Sequence, residues 1–269
     1  MSDNPLGKSV SYTDRYSPEL LFRIPRSKGR IGLGIKAPVS FDGVDRWSCY
    51  EVSWIGSHGI PQVGIATISY SARSEWIVES KSLKLYLGSL NFKVFESVSV
   101  VEELIRNDLE SVLGADSQLL VSVLLPSEWS SQKLVLPDEQ CIDQLVIERE
   151  APARLVCQNE VVEEGLYSNL LRSLCPVTSQ PDWGTIRIVY RGKRLQPESL
   201  LAYLLAHRSY EGYHEECCER IFSAIESCCS PEKLWVGCYY TRRGGIDINP
   251  ERWLNGTSRP TLVGRLPRQ

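Results

Sequence analysis

The sequence predicts an α+β fold in which antiparallel strands are backed by helices and one plan is used twice. Runs rich in β-branched and aromatic residues are separated by turn-forming clusters, the pattern of hairpins. Helical periodicity is confined to a few stretches, chiefly 99–113, 197–207 and 213–229. An internal echo adds the duplication: Ser82-Leu83-Lys84-Leu85-Tyr86-Leu87 lines up with Ser199-Leu200-Leu201-Ala202-Tyr203-Leu204, and the same displacement of 117 positions carries Leu104-Ile105 onto Ile221-Phe222.

Residues 1–44, rich in Ser, Pro, Gly and Arg, read as an arm packed on the surface. The stretches 47–54 and 63–70 flank Gly56-Ser57-His58-Gly59 as two strands joined by a loop. Next comes 76–91, containing Glu79-Ser80-Lys81-Ser82-Leu83-Lys84; read as strand-like, it turns 79, 81 and 83 one way and 80, 82 and 84 the other, so its lysines split between faces. Ser99 and Glu102 form a capping box for a helix in which Val101, Leu104, Ile105, Val112 and Leu113 recur at helical spacing, and Gly114 closes it. The apolar run 119–125 is a short strand. A turn-rich stretch, 126–140, reads as a linker and divides the chain into modules 1–135 and 136–269. Beyond it the sequence predicts a strand at 145–150, a loop around Cys175, a strand at 185–190, helices at 197–207 and 213–229, and a closing strand at 234–240.

The 269 residues are 42% hydrophobic and 23% charged, an ordinary globular composition. A net charge of -3 gives no whole-chain attraction to nucleic acid or anionic membrane. No apolar run approaches the roughly 18 residues of a membrane span, and the first residues lack the apolar core of a signal peptide; a cytoplasmic location is expected. Nine cysteines, an odd number, read as thiols in that setting. No C-x-x-C occurs, and the adjacent pairs Cys217-Cys218 and Cys228-Cys229 do not have the spacing of a zinc ribbon, so no metal site is expected.

Three constellations stand out chemically. Cys175 and Asp182 lie seven positions apart in a stretch dense in Pro, Gly, Ser and Thr, where functional side chains concentrate; a thiol and an acid on one loop suggest covalent chemistry, while a small core cysteine is the plain alternative. On the wheel of 213–229, Cys217, Cys218, Ile221, Ala224, Ile225 and Cys228 share a face, His214 falls near its centre and Glu215 at its edge, whereas Glu216, Glu219, Ser223 and Glu226 face away. A carboxylate at such a margin needs a partner or a shifted pKa. Arg242-Arg243-Gly244-Gly245 follows the last strand; its glycines permit close backbone approach and its guanidiniums suit phosphate, though it is neither a P-loop nor a dinucleotide fingerprint.

Together, Glu79-Ser80-Lys81-Ser82-Leu83-Lys84-Leu85-Tyr86, Leu174-Cys175-Pro176-Val177-Thr178-Ser179-Gln180-Pro181-Asp182-Trp183-Gly184, Tyr213-His214-Glu215 and Arg242-Arg243-Gly244-Gly245-Ile246-Asp247-Ile248-Asn249-Pro250 closely resemble the NADPH-dependent 7-cyano-7-deazaguanine reductases, nitrile reductases of queuosine biosynthesis, in their long, two-module branch. The resemblance implies two tandem tunnelling-fold modules and a four-electron reduction of a nitrile to a primary amine by two NADPH. It implies that Cys175 attacks the nitrile carbon to give a thioimidate and that Asp182 supplies a proton to nitrogen. Glu79 and Glu215 would then accept hydrogen bonds from the deazaguanine, with Ile77, Val78 and His214 shaping its pocket. Ser80, Lys81, Arg243 and Gly244 fall where the family contacts NADPH. The copies divide the site: the first keeps Glu-Ser-Lys-Ser, and the second keeps Cys, His-Glu and Arg-Arg-Gly-Gly but carries Glu198-Ser199-Leu200-Leu201 in place of the lysines. A homodimer is implied as well, with the site built within one chain or across the interface. Two other classes stay open on the residues: a pterin-forming cyclohydrolase of the same fold, whose metal-binding Cys/His set is not found here, and a non-catalytic purine or pterin binder.

Overall fold

The computed structural model describes residues 13, 15–129, 133–148, 153–260 and 264–269. Along the chain run β1 (Arg23–Pro25), α1 (Arg26–Gly32), β2 (Phe41–Gly56), β3 (Pro61–Ser71), β4 (Trp76–Val78), α2 (Ser80–Gly88), β5 (Val94–Phe95), α3 (Val98–Leu113), β6 (Leu120–Leu124), β7 (Gln140–Cys141), β8 (Cys157–Leu174), β9 (Pro181–Leu195), α4 (Pro197–Ala206), α5 (His214–Cys229), β10 (Lys233–Tyr240) and β11 (Ile246–Leu254). They gather into two compact units, neither continuous in sequence. The first takes the described residues within Met1–Lys28, Asp45–Ser131 and Arg242–Ile248, the second those within Gly29–Val44, Gln132–Thr241 and Asn249–Gln269. Relative to a single cut between 135 and 136, Gly29–Val44, Arg242–Ile248 and the described residues of 132–135 change sides.

In the first unit β3 lies between β2 and β6, and β3 and β6 pair antiparallel with Ile65 opposite Leu124 and Ile68 opposite Val121. Alternate residues of β2, among them Trp47 and Cys49, turn inward, as one buried sheet face requires. Trp47, Ile68, Tyr70, Leu83, Tyr86, Ile105 and Leu109 are all buried, and α3 lies against β4 and β6. The supposed surface arm is partly built into this unit, because β1 pairs with β4, Arg23 opposite Val78. Arg26, also from that arm, is buried against Asp45 at 2.6 Å.

The segment read as strand-like at 79–84 is the start of helix α2. Its first free amides are met by the Glu79 side chain, which accepts from the backbone N–H of Lys81 at 2.9 Å and Ser82 at 2.7 Å, an N-cap that fixes the helix start. Leu83, Tyr86 and Leu87 then recur at helical spacing on the buried side. Lys81 and Lys84, three apart on a helix, share a face instead of splitting. Helix α3 follows Ser97, and the capping box expected of Glu102 does not form: that carboxylate accepts from the Val123 backbone N–H at 2.7 Å, tying α3 to β6. Gly114 does close α3, at φ +89°.

The second unit orders its strands β11-β10-β9-β8-β7, antiparallel except for β7 on β8. The long β8–β9 hairpin replaces the strand expected at 145–150, whose described part, 145–148, is irregular. Helices α4 and α5 cover this sheet with Leu200, Leu201, Leu204, Cys218, Ile221, Phe222 and Ile225, all in one buried cluster with Phe41, Ile186, Ile188 and Val236. Each such side chain removed from water contributes about 1.5–3 kcal/mol. Two positions on α5 depart from the wheel. Cys229 rather than Cys228 is buried, and Glu219 faces inward at 3% exposure. Two guanidiniums make that burial tolerable: Glu219 accepts from Arg30 at 2.8 and 2.7 Å and from Arg252 at 3.1 and 2.9 Å.

The echoed segments 82–87 and 199–204 fall in α2 and α4, and Leu104-Ile105 and Ile221-Phe222 in α3 and α5. Each unit therefore runs hairpin, helix, helix, strand. Among the described residues no helix is long and apolar enough to cross a membrane.

Candidate active site

The β8–β9 register sets Ser173 opposite Asp182 and Leu174 opposite Pro181. The ladder then continues one pair further, the Cys175 N–H donating to the Gln180 carbonyl at 2.9 Å, before Ser179 at φ +53° turns the chain. Pro181, which has no N–H, occupies the pair between two hydrogen-bonded ones, where none is needed. Asp182 is accordingly a strand residue, not a loop residue as the sequence suggested. Since side chains alternate, Cys175 and Asp182 project from the same face as diagonal neighbours, with backbones about 7–8 Å apart. Cys175 is part-exposed and Asp182 is 5% exposed.

Leu174 turns its own amide and carbonyl outward. Its N–H donates to Tyr210 O at 2.8 Å and its C=O accepts from Gly212 N at 3.1 Å. This stitch brings the start of α5 to the hairpin, so that His214 Nε2 stands 3.4 Å from Asp182 Oδ2. The imidazole is stacked on Tyr240, centroids 3.8 Å apart and planes at 22°. Tyr240 lies opposite Gly184 on β9, where a Cβ would come within 2.9 Å of the Tyr239 carbonyl and 3.3 Å of the Tyr240 ring. Glu215, in the first turn of α5, is 4% exposed. The nearby Cys217 is buried, and burial pushes its thiol up to about 12, so it stays neutral while Cys175 meets solvent.

The remaining expected residues lie in the first unit. Ile77 and Val78 are buried on β4; Glu79 caps α2; Ser80 and Lys81 are exposed in its first turn. Arg243 and Gly244 are exposed in a two-residue turn closed by Arg243 N–H to Ile246 O at 2.9 Å and Ile246 N–H to Arg243 O at 3.1 Å. Its central residues Gly244 and Gly245 sit at φ +56° and +78°, the geometry of a type I′ hairpin turn that glycine adopts without strain. A Cβ on Gly244 would lie 3.1 Å from Lys84 Nζ, and one on Gly245 within 2.5 Å of the Glu51 carboxyl carbon. Lys84 in turn pairs with Glu51 at 3.3 Å. Glu51, Lys84, Gly244 and Gly245 border a cavity of 220 Å³ lined also by Leu20, Cys49, Leu87 and Ile246. The strand expected to close the chain, 234–240, is followed by β11, which makes Arg242-Arg243-Gly244-Gly245 a hairpin connection rather than a tail. Lys84 and Tyr240, which lie against the candidate residues Gly244 and His214, are not among the site residues expected from the sequence. Helical spacing from Lys81 was the signal for Lys84; none existed for Tyr240.

Comparison with known families covers both ends of the chain. A profile described as nitrile reductase, 7-cyano-7-deazaguanine-reductase N-term, matches residues 12–121, and one described as QueF-like protein matches 181–257. The curated relatives include NADPH-dependent 7-cyano-7-deazaguanine reductases from Desulfotalea psychrophila, 45% identical over 92% of this chain and 91% of the relative, and Legionella pneumophila, 45% identical over 93% and 90%. That of Saccharophagus degradans is 44% identical over 97% of both chains. A solved archaeosine synthase, QueF-like in its apo form, aligns with 38% of this chain and 99% of its own at 16% identity and TM-score 0.32, too low to bear on the fold. With 45% identity sustained over nine-tenths of its length and both profiles matched in order, the chain belongs to the NADPH-dependent 7-cyano-7-deazaguanine reductase family.

Proposed function

We propose that this chain reduces the nitrile of 7-cyano-7-deazaguanine to the primary amine, 7-aminomethyl-7-deazaguanine, with two NADPH, in queuosine biosynthesis, through a thioimidate on Cys175. The observation that carries the mechanism is the placement of a part-exposed thiol diagonally across a hairpin from a buried carboxylate that faces His214 at 3.4 Å. Cys175 Sγ attacks the nitrile carbon, forming the S–C bond as one C–N π pair moves to nitrogen. The proton leaving the thiol passes by way of Asp182 to that nitrogen. A thiolate and a carboxylate side by side repel each other, so one proton serves both: Asp182 receives it as Cys175 attacks and then passes it on. His214, stacked on Tyr240, stands beside that carboxylate with Nε2 3.4 Å from Oδ2. Covalent attachment converts a poor acceptor into an imine-like carbon and divides one hard step into easier ones. Glu79, Glu215, Ile77, Val78 and His214 would hold the deazaguanine.

NADPH, when bound, supplies hydride to that carbon. The glycine turn fits it: the Gly244 position is held open beside the Lys84 amine, where any Cβ would crowd Nζ at 3.1 Å, and exposed Arg243 and Lys81 present cations to phosphates. Ser80 completes the set. The repeated hairpin-helix-helix-strand order supports the reading as two tandem tunnelling-fold modules. A cytoplasmic homodimer without direct nucleic-acid contact accords with a net charge of -3 and a small-molecule substrate.

The test is NADPH oxidation by purified protein with 7-cyano-7-deazaguanine, beside Cys175→Ala, with the product's mass recorded. Two NADPH consumed per aminomethyl product, abolished in the variant, is the expected result. Binding of the deazaguanine without NADPH oxidation would leave only the pocket assignments standing. Mixing Glu79→Ala and Cys175→Ala chains distinguishes the two site architectures, since recovered activity requires residues from both chains.

A further inference from the structure

Three of the nine thiols converge at a place the reaction does not use. Cys157 opens β8, and Cys228 and Cys229 end α5. Their sulfurs all lie within 4.8 Å of one another, with Cys157 Sγ 2.7 Å from Cys228 Sγ and 2.9 Å from Cys229 Sγ. Cys157 and Cys228 are part-exposed, which leaves a way in from solvent, while Cys229 is buried. We propose that Cys157, Cys228 and Cys229 form a thiolate site for one thiophilic metal ion, of the Zn²⁺ or Cu⁺ class, separate from the catalytic thiol.

The geometry favours an ion over the two other things a thiol cluster can do. Inert core cysteines have only carbon for neighbours; these three border the hydrophobic core of the second unit but also bring their sulfurs together, and two of them are part-exposed. A disulfide joins two sulfurs, requires an oxidant, and would leave the third thiol poised to attack it. A metal ion uses all three. Tetrahedral zinc with Zn–S near 2.3 Å needs sulfurs about 3.8 Å apart, reached from the present separations by small side-chain rotations and still inside the 4.8 Å envelope. Thiolates select soft ions. No His, Asp or Glu joins the three sulfurs among the described residues, so zinc would keep a water in its fourth position, and Cu⁺ would need none.

Charge completes the argument. Burial pushes the three thiols up, Cys157 to about 11, Cys228 to about 12 and Cys229 to about 11, so without metal they sit protonated and uncharged. Binding exchanges their three protons for the ion. Three thiolates with Zn²⁺ leave one net negative charge; the Lys193 ammonium beside Cys157 and Cys228 offsets it, while the Glu164 carboxylate on the Cys229 side opposes it.

The test uses the full-length protein, reduced under anaerobic conditions, loaded separately with Zn²⁺ and with Cu⁺, desalted against a weak chelator and analysed for metal per chain. One ion per chain is expected with at least one of the two. Cys157→Ser should weaken binding by more than the 10–100-fold that loss of an outer-sphere partner typically costs, while Cys175→Ala retains the ion. Cobalt substitution should give a thiolate charge-transfer band that Cys157→Ser abolishes. Should Cys157→Ser not fold, alkylation of the wild type serves: the ion should protect Cys157 and Cys228 but not exposed Cys141. The proposal is overturned if no ion is retained, if retention follows Cys175 instead, or if air oxidation removes two hydrogens by mass in a reaction that Cys157→Ser prevents and metal does not.

Discussion

The thiols of the second unit occupy two kinds of surroundings. Cys175 stands at the tip of a hairpin with a carboxylate and an imidazole on its face; Cys157, Cys228 and Cys229 stand among themselves. A thiol is turned toward attack on carbon by a neighbour that can take its proton and pass it on. Three thiols grouped together have no such proton acceptor in their cluster among the described residues, and an ion that displaces their protons would stabilise all three charged forms at once. What distinguishes a nucleophile from a ligand here is thus the company of each sulfur rather than its exposure, since both sites include part-exposed cysteines.

The comparison breaks most visibly at the nucleophile. Cys175→Ala should lower nitrile turnover by about 10⁴-fold or more, whereas Cys157→Ser should leave kcat within about twofold; equal losses in a steady-state assay would mean that the two sites are not separate. Asp182→Asn keeps the shape but cannot relay a proton, and should cost about 10²–10⁴-fold in kcat. Thioimidate formation, followed by mass, should slow along with turnover; if it stays at the wild-type rate, the shared proton is wrong. Glu219→Ala tests what the sites have in common, because Glu219 lies midway along α5, between His214 and the Cys228-Cys229 pair. Removing it leaves Arg30 and fully buried Arg252 without their carboxylate, a loss of about 3–5 kcal/mol by chemical denaturation, and activity and metal retention should fall together.

The smallest effect is a pH dependence on the Cys175 side. His207 packs between Tyr203 and Tyr210, the residue whose carbonyl receives the Leu174 amide. Burial holds its imidazole down from 6.5 to about 4. The folded state therefore resists a proton that the unfolded chain accepts, so His207's contribution is complete above about 6.5 and is lost as pH falls toward 4, amounting to about 3 kcal/mol. Denaturation midpoints measured between pH 7 and 4 should fall less steeply in His207→Gln, and an unchanged slope would remove His207 as the cause.

The sequence made the helices α3, α4 and α5 readable because their apolar residues recur at helical spacing, over more than four turns in α3 and α5 and nearly three in α4. It misled at α2, where Ser80-Lys81-Ser82 offers no periodicity and the decisive fact, that Glu79 caps the helix, depends on a side chain folding back on the following amides. The long strand β8 was hidden by its first half, Cys157-Gln158-Asn159-Glu160-Val161-Val162-Glu163-Glu164, too polar to suggest a strand and largely exposed. At the site, Cys175 and Asp182 were legible as a pair, but their shared face follows from hairpin register, which spacing alone does not fix. The thiol cluster could not be read at all: Cys157 is 71 residues from Cys228, and only the tertiary fold brings them within one coordination sphere.

Helix α5 has an electrical direction as well as a buried face. Its aligned peptide dipoles amount to roughly half a positive charge at the start and half a negative charge at the end. Asp182 faces the start, where an anion is favoured; Cys228 and Cys229 sit at the finish, where the last turn has no basic side chain to answer the exposed carbonyls. The one element thus biases its two ends toward opposite kinds of chemistry, favouring negative charge at one and a cation at the other. Over 16 residues, about 24 Å, the helix keeps these two chemistries apart and gives each the end of the dipole that suits it.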